Sequence, residues 1–234
     1  MKARKYQLRG LYLGNNSIQT AQKKTIMKKI IACLILITSF MSIAQNFEGE
    51  IIYTNTVKSK VAQITNEQWT KMLGTQQTFY IKGNHYKSVT NGTMVQWQLF
   101  VPTENKLYTK MGNTEVLQWT DASTQNEEIL SSSIKPHAAT ILGYDCDELT
   151  LTCKSGVQTY YFTSKLAADC KLYEKHAYGN WYDFLKLAKG MSLKTIIDSP
   201  QFTLEQTATK VNPKKLEDTF FALPADAKST KSPY

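Results

Sequence analysis

Three histidines, four cysteines and two short runs of carboxylates are the side chains in this sequence with the chemistry for catalysis or metal binding. His85, His137 and His176 each lack a second His, Cys, Asp or Glu at the three- or four-residue helical spacing that holds zinc. A neutral imidazole needs only one hydrogen-bond partner, so each reads as a packing or surface residue. Asp145 and Asp147 fall on one face of a strand and could hold a cation weakly. The spacing of a calcium loop is absent, and a solvated rim is the simpler reading. Gly-x-Ser-x-Gly, phosphate-cradling and dinucleotide fingerprints are all missing. No glycine-rich elbow activates a cysteine. The sequence therefore assigns no catalytic residue, no metal ligand and no cofactor, and an enzyme is not expected.

The cysteines depend on compartment, and the N-terminus speaks to that. Lys28 and Lys29 precede an apolar run from Ile30 to Phe40, and Ser42-Ile43-Ala44 places small residues where a signal peptidase cuts. Residues 1–44 read as an export leader, with 1–26 a non-native extension upstream of a start at Met27. The run is shorter than the ~20 residues of a membrane span. Cys33 lies near its beginning, so lipid attachment is not expected. An exported chain sits where disulfides persist, yet only Cys146, Cys153 and Cys170 remain. Alternation puts Cys153 on an inward face with Leu149 and Leu151, and Cys146 on the opposite face. A Cys146–Cys170 disulfide is favoured over three free thiols.

Removing the leader also removes the charge. The whole chain carries +9, but its first 44 residues hold eight basic side chains and no acidic one, leaving +1. No net field remains to attract phosphates, so nucleic acid is not an expected partner.

The elements that must position anything else are mostly strands. Phe47, Ile51, Tyr53 and Val57 alternate with polar residues. Thr65 and Gln68 form a capping-box pattern ahead of Trp69, Met72 and Leu73, with Gly74 as the stop of a short helix. Strands then follow about ten residues apart to Thr120, separated by Gly83-Asn84, Asn91-Gly92 and Gly112-Asn113, a pattern that means an antiparallel sheet. Asp121–Lys135 reads as a loop with a turn of helix near Asn126–Leu130. A hairpin over 140–163 turns at Lys154-Ser155-Gly156. Asn180 can cap a second short helix that ends at Gly190. Two strands, a short helical turn and a loose tail over 225–234 complete the chain. Residues 45–224 suit one domain.

Aromatics gather in one quarter of the sequence, from Tyr160, Tyr161 and Phe162 to Trp181, Tyr182 and Phe184. They either fill the core or wall a cavity under the second helix. Tyr160, Phe162, Trp181 and Phe184 are the candidate wall.

Phe47-x-Gly-x-Ile-x-Tyr53, Tyr80-Ile-Lys-Gly-Asn84, Ile141-Leu-Gly-Tyr-x-Cys146 and Phe221-x-Leu-Pro224, in that order, resemble a family of uncharacterised exported proteins of Gram-negative bacteria. It is a domain of unknown function, similar to the GLPGLI-type secreted proteins. The Gly-Leu-Pro-Gly-Leu-Ile string itself is replaced by Lys189-Gly-Met-Ser-Leu-Lys194. The resemblance implies a fold like that of the lipoprotein carriers LolA and LolB: a strongly curved antiparallel sheet, a half-barrel closed by two or three short helices. It also implies a lipid or acyl ligand, and it brings no catalytic residue. The expected protein is periplasmic or extracellular, does not span the membrane after cleavage, and has no enzymatic activity. The alternative is an envelope interaction module with a filled core.

Overall fold

Alternating apolar residues need one dry face, and here twelve strands supply it in a single sheet. The structure, a computed structural model, describes residues 46–233, so the expected leader, Cys33 and the start at Met27 lie outside it. In chain order the strands are β1 (Gly49–Ser59), β2 (Gln76–Lys82), β3 (His85–Thr90), β4 (Val95–Val101), β5 (Lys106–Met111), β6 (Leu117–Asp121), β7 (Ile129–Ile141), β8 (Tyr144–Cys153), β9 (Gly156–Ala167), β10 (Gly190–Asp198), β11 (Phe202–Pro213) and β12 (Ser229–Lys231). Two α-helices, α1 (Asn66–Leu73) and α2 (Trp181–Ala188), and three short 3-10 turns complete the described elements. The sheet order is β12-β6-β5-β4-β3-β2-β1-β11-β10-β9-β8-β7. All pairings are antiparallel except β12 with β6. The protein is thus mainly β, mostly antiparallel strands with a few short helices, as the alternation and turn spacing predict, and its sheet is an open half-barrel, as the resemblance implies.

One face of the sheet carries the core. Ile51 and Tyr53 of β1, Phe79 and Ile81 of β2, Phe162 of β9 and Leu193 of β10 are buried there with Phe184 and Leu185 of α2. On the opposite face, Leu216 and Phe221 cover Leu99 of β4, flanked by Tyr80, Trp97 and Phe220. Adjacent residues Leu99 and Phe100 are therefore both buried, one on each face. Strand β12 extends the sheet beyond β6: Leu117 and Ser232 donate backbone hydrogen bonds to Lys228 O and Trp119 O at 2.9 and 2.8 Å. The loose tail expected over 225–234 is in fact paired at Ser229–Lys231.

Several local expectations are also corrected. Ile129–Ile141 is a strand and not a loop with helix, because pairing with β8 satisfies its backbone even though most of its side chains are exposed. The central hairpin turns through two residues, with Cys153 opposite Gly156. Asn180 adopts φ 59° and caps nothing; its buried amide instead bonds Gln125, Gln158 and the Cys153 thiol. Lys189, not Gly190, takes the left-handed position that ends α2.

Asn91-Gly92 is not a two-residue turn. Its loop docks the C-terminus of α1: Thr93 and Met94 donate to Lys71 O and Met72 O at 2.9 and 3.0 Å, and Asn91 Oδ1 accepts from Thr75 and Gln76. A Cβ at Gly92 would lie 2.5 Å from Met72 O, so the approach requires glycine. Gly92→Ala should destabilise the protein by roughly 1–3 kcal/mol. The midpoint shift in urea unfolding measures this.

Candidate functional site

The inner face is not filled everywhere. A cavity of about 410 Å³ lies between β1–β5, β9–β11 and the two helices. One wall is aromatic. Phe79 and Tyr86 stack at 5.4 Å between centroids; Trp181 leans on both, at 5.7 and 5.3 Å. Phe184 follows at 5.8 Å from Trp181, with Tyr160 4.5 Å beyond it. Met72 and Leu73 of α1 close the end opposite α2.

The other wall is built of uncharged polar groups. Asn55, Gln77, Ser88, Gln98 and Gln206 line it. Gln206 Nε2 reaches Asn55 Oδ1 at 3.2 Å and Gln77 Oε1 at 2.5 Å, joining β1, β2 and β11 across the register that pairs Asn55 with Gln206. Asn55 Nδ2 donates to Gly74 O, and Gln98 Nε2 to Thr109 Oγ1. Ser88 is only 8% exposed, and its hydroxyl bonds to no described residue. No Asp, Glu, Lys, Arg or His is among the lining residues.

The chain segment between β9 and α2 seals one end. Tyr173 Oη donates to Gly83 O at 2.9 Å, and Tyr86 Oη lies 2.7 Å from His176 Nε2. Burial pushes the Tyr86 and Tyr173 hydroxyls up, so both are neutral and Tyr86 donates. His176 is pushed down to about 4 by burial, with backbone groups of His176 and Tyr178 pulling the other way. Its role is to fasten the segment to β3, and it does not line the cavity.

Of the four wall residues expected from sequence, Tyr160, Trp181 and Phe184 line the cavity. Phe162 does not: it is 5% exposed and packs in the core beside them. Sequence reasoning missed the amide wall, although alternation carried the signal. Ile51, Tyr53 and Asn55 share one face of β1, and Tyr86 and Ser88 one face of β3, so a polar residue at an inward position marks each site.

The other candidates resolve differently. Asp145 and Asp147 turn to His137, whose Nδ1 lies 2.5 Å from Asp145 Oδ2 and whose backbone N–H donates to Asp147 Oδ1. No group of three or more metal-ligating side chains occurs among the described residues. Cys146, Cys153 and Cys170 are free thiols, so the expected Cys146–Cys170 disulfide is not formed. Cys146 is buried like Leu149 and Leu151, because the alternation changes phase opposite a bulge at 136–138 of β7. Its thiol points at Tyr144 O, while half-buried Cys170 opens a 3-10 turn.

No family model matches the chain, so the resemblance drawn from its motifs has no counterpart there. No curated protein matches it. Among solved structures it is similar to that of PNGF-II in space group C2, with a TM-score of 0.43 and 16% identity over 78% of this chain. The chain spans 30% of the length of that protein. It is also similar to LprF from Mycobacterium bovis, with a TM-score of 0.25 and 13% identity, covering 72% of this chain and 89% of that one. At these values neither likeness bears on what this chain does.

Two outcomes are expected. Maleimide labelling of the native protein lacking residues 1–44 should modify Cys170 first, since burial shields Cys146 and Cys153 and raises both thiols. Unfolding without reductant should expose three thiols; finding one would show that a disulfide forms after all. The second outcome concerns pH. Unfolded His176 takes a proton near 6.5 and the folded residue only near 4, so the unfolded state binds more protons between these values. Stability is therefore fully retained above pH 6.5 and falls by about 3 kcal/mol as pH drops toward 4. In chemical denaturation at stepped pH, His176→Gln should flatten the profile across that window.

Proposed function

We propose that this chain is an exported, non-enzymatic protein that binds or carries an apolar, acyl-like ligand in the cavity under α2. The observation that carries this reading is the cavity itself. Its volume of about 410 Å³ falls within the ~300–1,000 Å³ of small-molecule sites. It is walled by large apolar side chains with a few polar groups set to one side, the usual composition of a site that takes a mostly apolar molecule. Export follows from the leader pattern of residues 28–44, and no helix among the described residues is long and apolar enough to cross a membrane. The competing reading, an envelope interaction module with a filled core, accounts less well for the open space.

Native mass spectrometry of the protein lacking residues 1–44, after detergent-free purification from the cell envelope, should reveal a retained molecule that organic solvent extracts. Ser88→Phe would place a ring in the cavity from a position that makes no side-chain hydrogen bond. It should abolish retention and weaken binding of an added alkyl probe about tenfold or more, a change of about 1.4 kcal/mol. A clean unliganded mass, together with equal probe binding by both proteins, would sink the proposal.

A further inference from the structure

The polar wall has a charge character as well as a shape, and that character restricts the ligand. We propose that the cavity selects an amphiphile with an uncharged, hydrogen-bonding head group, such as an amide, ester or hydroxyl, over a carboxylate, phosphate or ammonium carrying the same chain. This rests on the ligand-binding reading above.

Two observations carry it. First, no ionisable group of either charge, other than tyrosine hydroxyls, lines the cavity. Three of these, Tyr53, Tyr86 and Tyr160, are held neutral, since burial raises each. A charged head would lose its hydration with no counter-charge to replace it, at a cost of several kcal/mol. Second, the wall offers unused hydrogen-bonding capacity of both kinds. Gln206 Nε2 is taken up by Asn55 and Gln77, which leaves Gln206 Oε1 and Gln77 Nε2 bonded to no described residue. Neither atom is sealed from the cavity. Ser88, itself more than nine-tenths buried, presents an unpartnered hydroxyl to the same space. The bond from Asn55 Nδ2 to Gly74 O fixes which way these amides point, so an acceptor on Gln206 and a donor on Gln77 are the free atoms.

The inner surface thus sorts into two halves. Phe79, Trp181 and Phe184 suit a hydrocarbon chain, while Gln77, Ser88 and Gln206 suit a head that donates and accepts without charge. Such a head recovers in the cavity the hydrogen bonds it gives up in water, whereas a lone alkane would leave these groups unmatched.

Three probes with matched dodecyl chains test this: dodecanoyl glycerol, dodecanoate and dodecyltrimethylammonium. Each is titrated below its critical micelle concentration at pH 8, with Trp fluorescence and calorimetry as readouts. Dodecanoyl glycerol should bind at least about tenfold more tightly than either ion. Equal or tighter binding of an ion would overturn the head-group selection and leave the ligand-binding proposal standing. Binding of none of the three would overturn both. Gln206→Lys supplies a second reading, since a cation between Asn55 and Gln77 should shift the preference toward dodecanoate by a similar factor. With circular dichroism showing the variant folded, an unchanged ranking would count against the polar wall as the place where the head sits.

Discussion

The contact on which the rest depends is the hydrogen bond from Tyr86 Oη to His176 Nε2, 2.7 Å long and shut away from water. A bond of this kind is worth only about 1 kcal/mol net, but either partner left alone in that setting would cost about 1–3 kcal/mol. Its position matters more than its strength. Tyr86 belongs to the meander β2–β6, and His176 to the segment that follows β9 at the far side of β1 and β11. Rings from both sides close around the pair, with Phe100 4.5 Å from His176 and Trp181 5.3 Å from Tyr86. An open sheet of twelve strands has no barrel closure to fix its curvature. Here the crossing segment supplies that constraint, aided by Tyr173 on Gly83 and by Asn105 Nδ2 on Lys175 O.

Fixing the two halves in this way sets the space between them. Side chains near the clasp are large and interlock; further along the same inward rows stand Asn55, Gln77 and Ser88, which are too short or too polar to meet partners across the gap. Helix α1 closes the open end through Met72 and Leu73. Its position is set by the backbone contact at Gly92 and by the Thr65–Gln68 capping box, in which Gln68 N donates to Thr65 Oγ1 and Thr65 N to Gln68 Oε1. The cavity is therefore a consequence of where the chain places small polar residues on inward positions, and not of loose packing throughout.

Much of this was legible in the residues. Period-two alternation and glycine-asparagine turns define a meander, and the helix from Asn66 was announced by Thr65, Gln68 and Gly74. The face of Cys153 also followed from pattern. What could not be read depends on contacts far apart in sequence. Strand β7 has neither a buried face nor alternation, and it exists because β8 offers it a ladder. The phase change at Cys146 comes from a bulge on the neighbouring strand, and Asn180 gave up its capping role for partners at Gln125 and Gln158. In each case a long-range hydrogen bond overrode a local preference.

The cavity is partly open to solvent, so it need not be dry. Amides and a hydroxyl on its wall give water somewhere to bond. On the proposed reading, the same groups would present to an entering molecule the donors and acceptors that water uses. That reading also explains why the groups are uncharged: a lysine or glutamate facing this space would have to remain hydrated and would hold the water in place against the ligand.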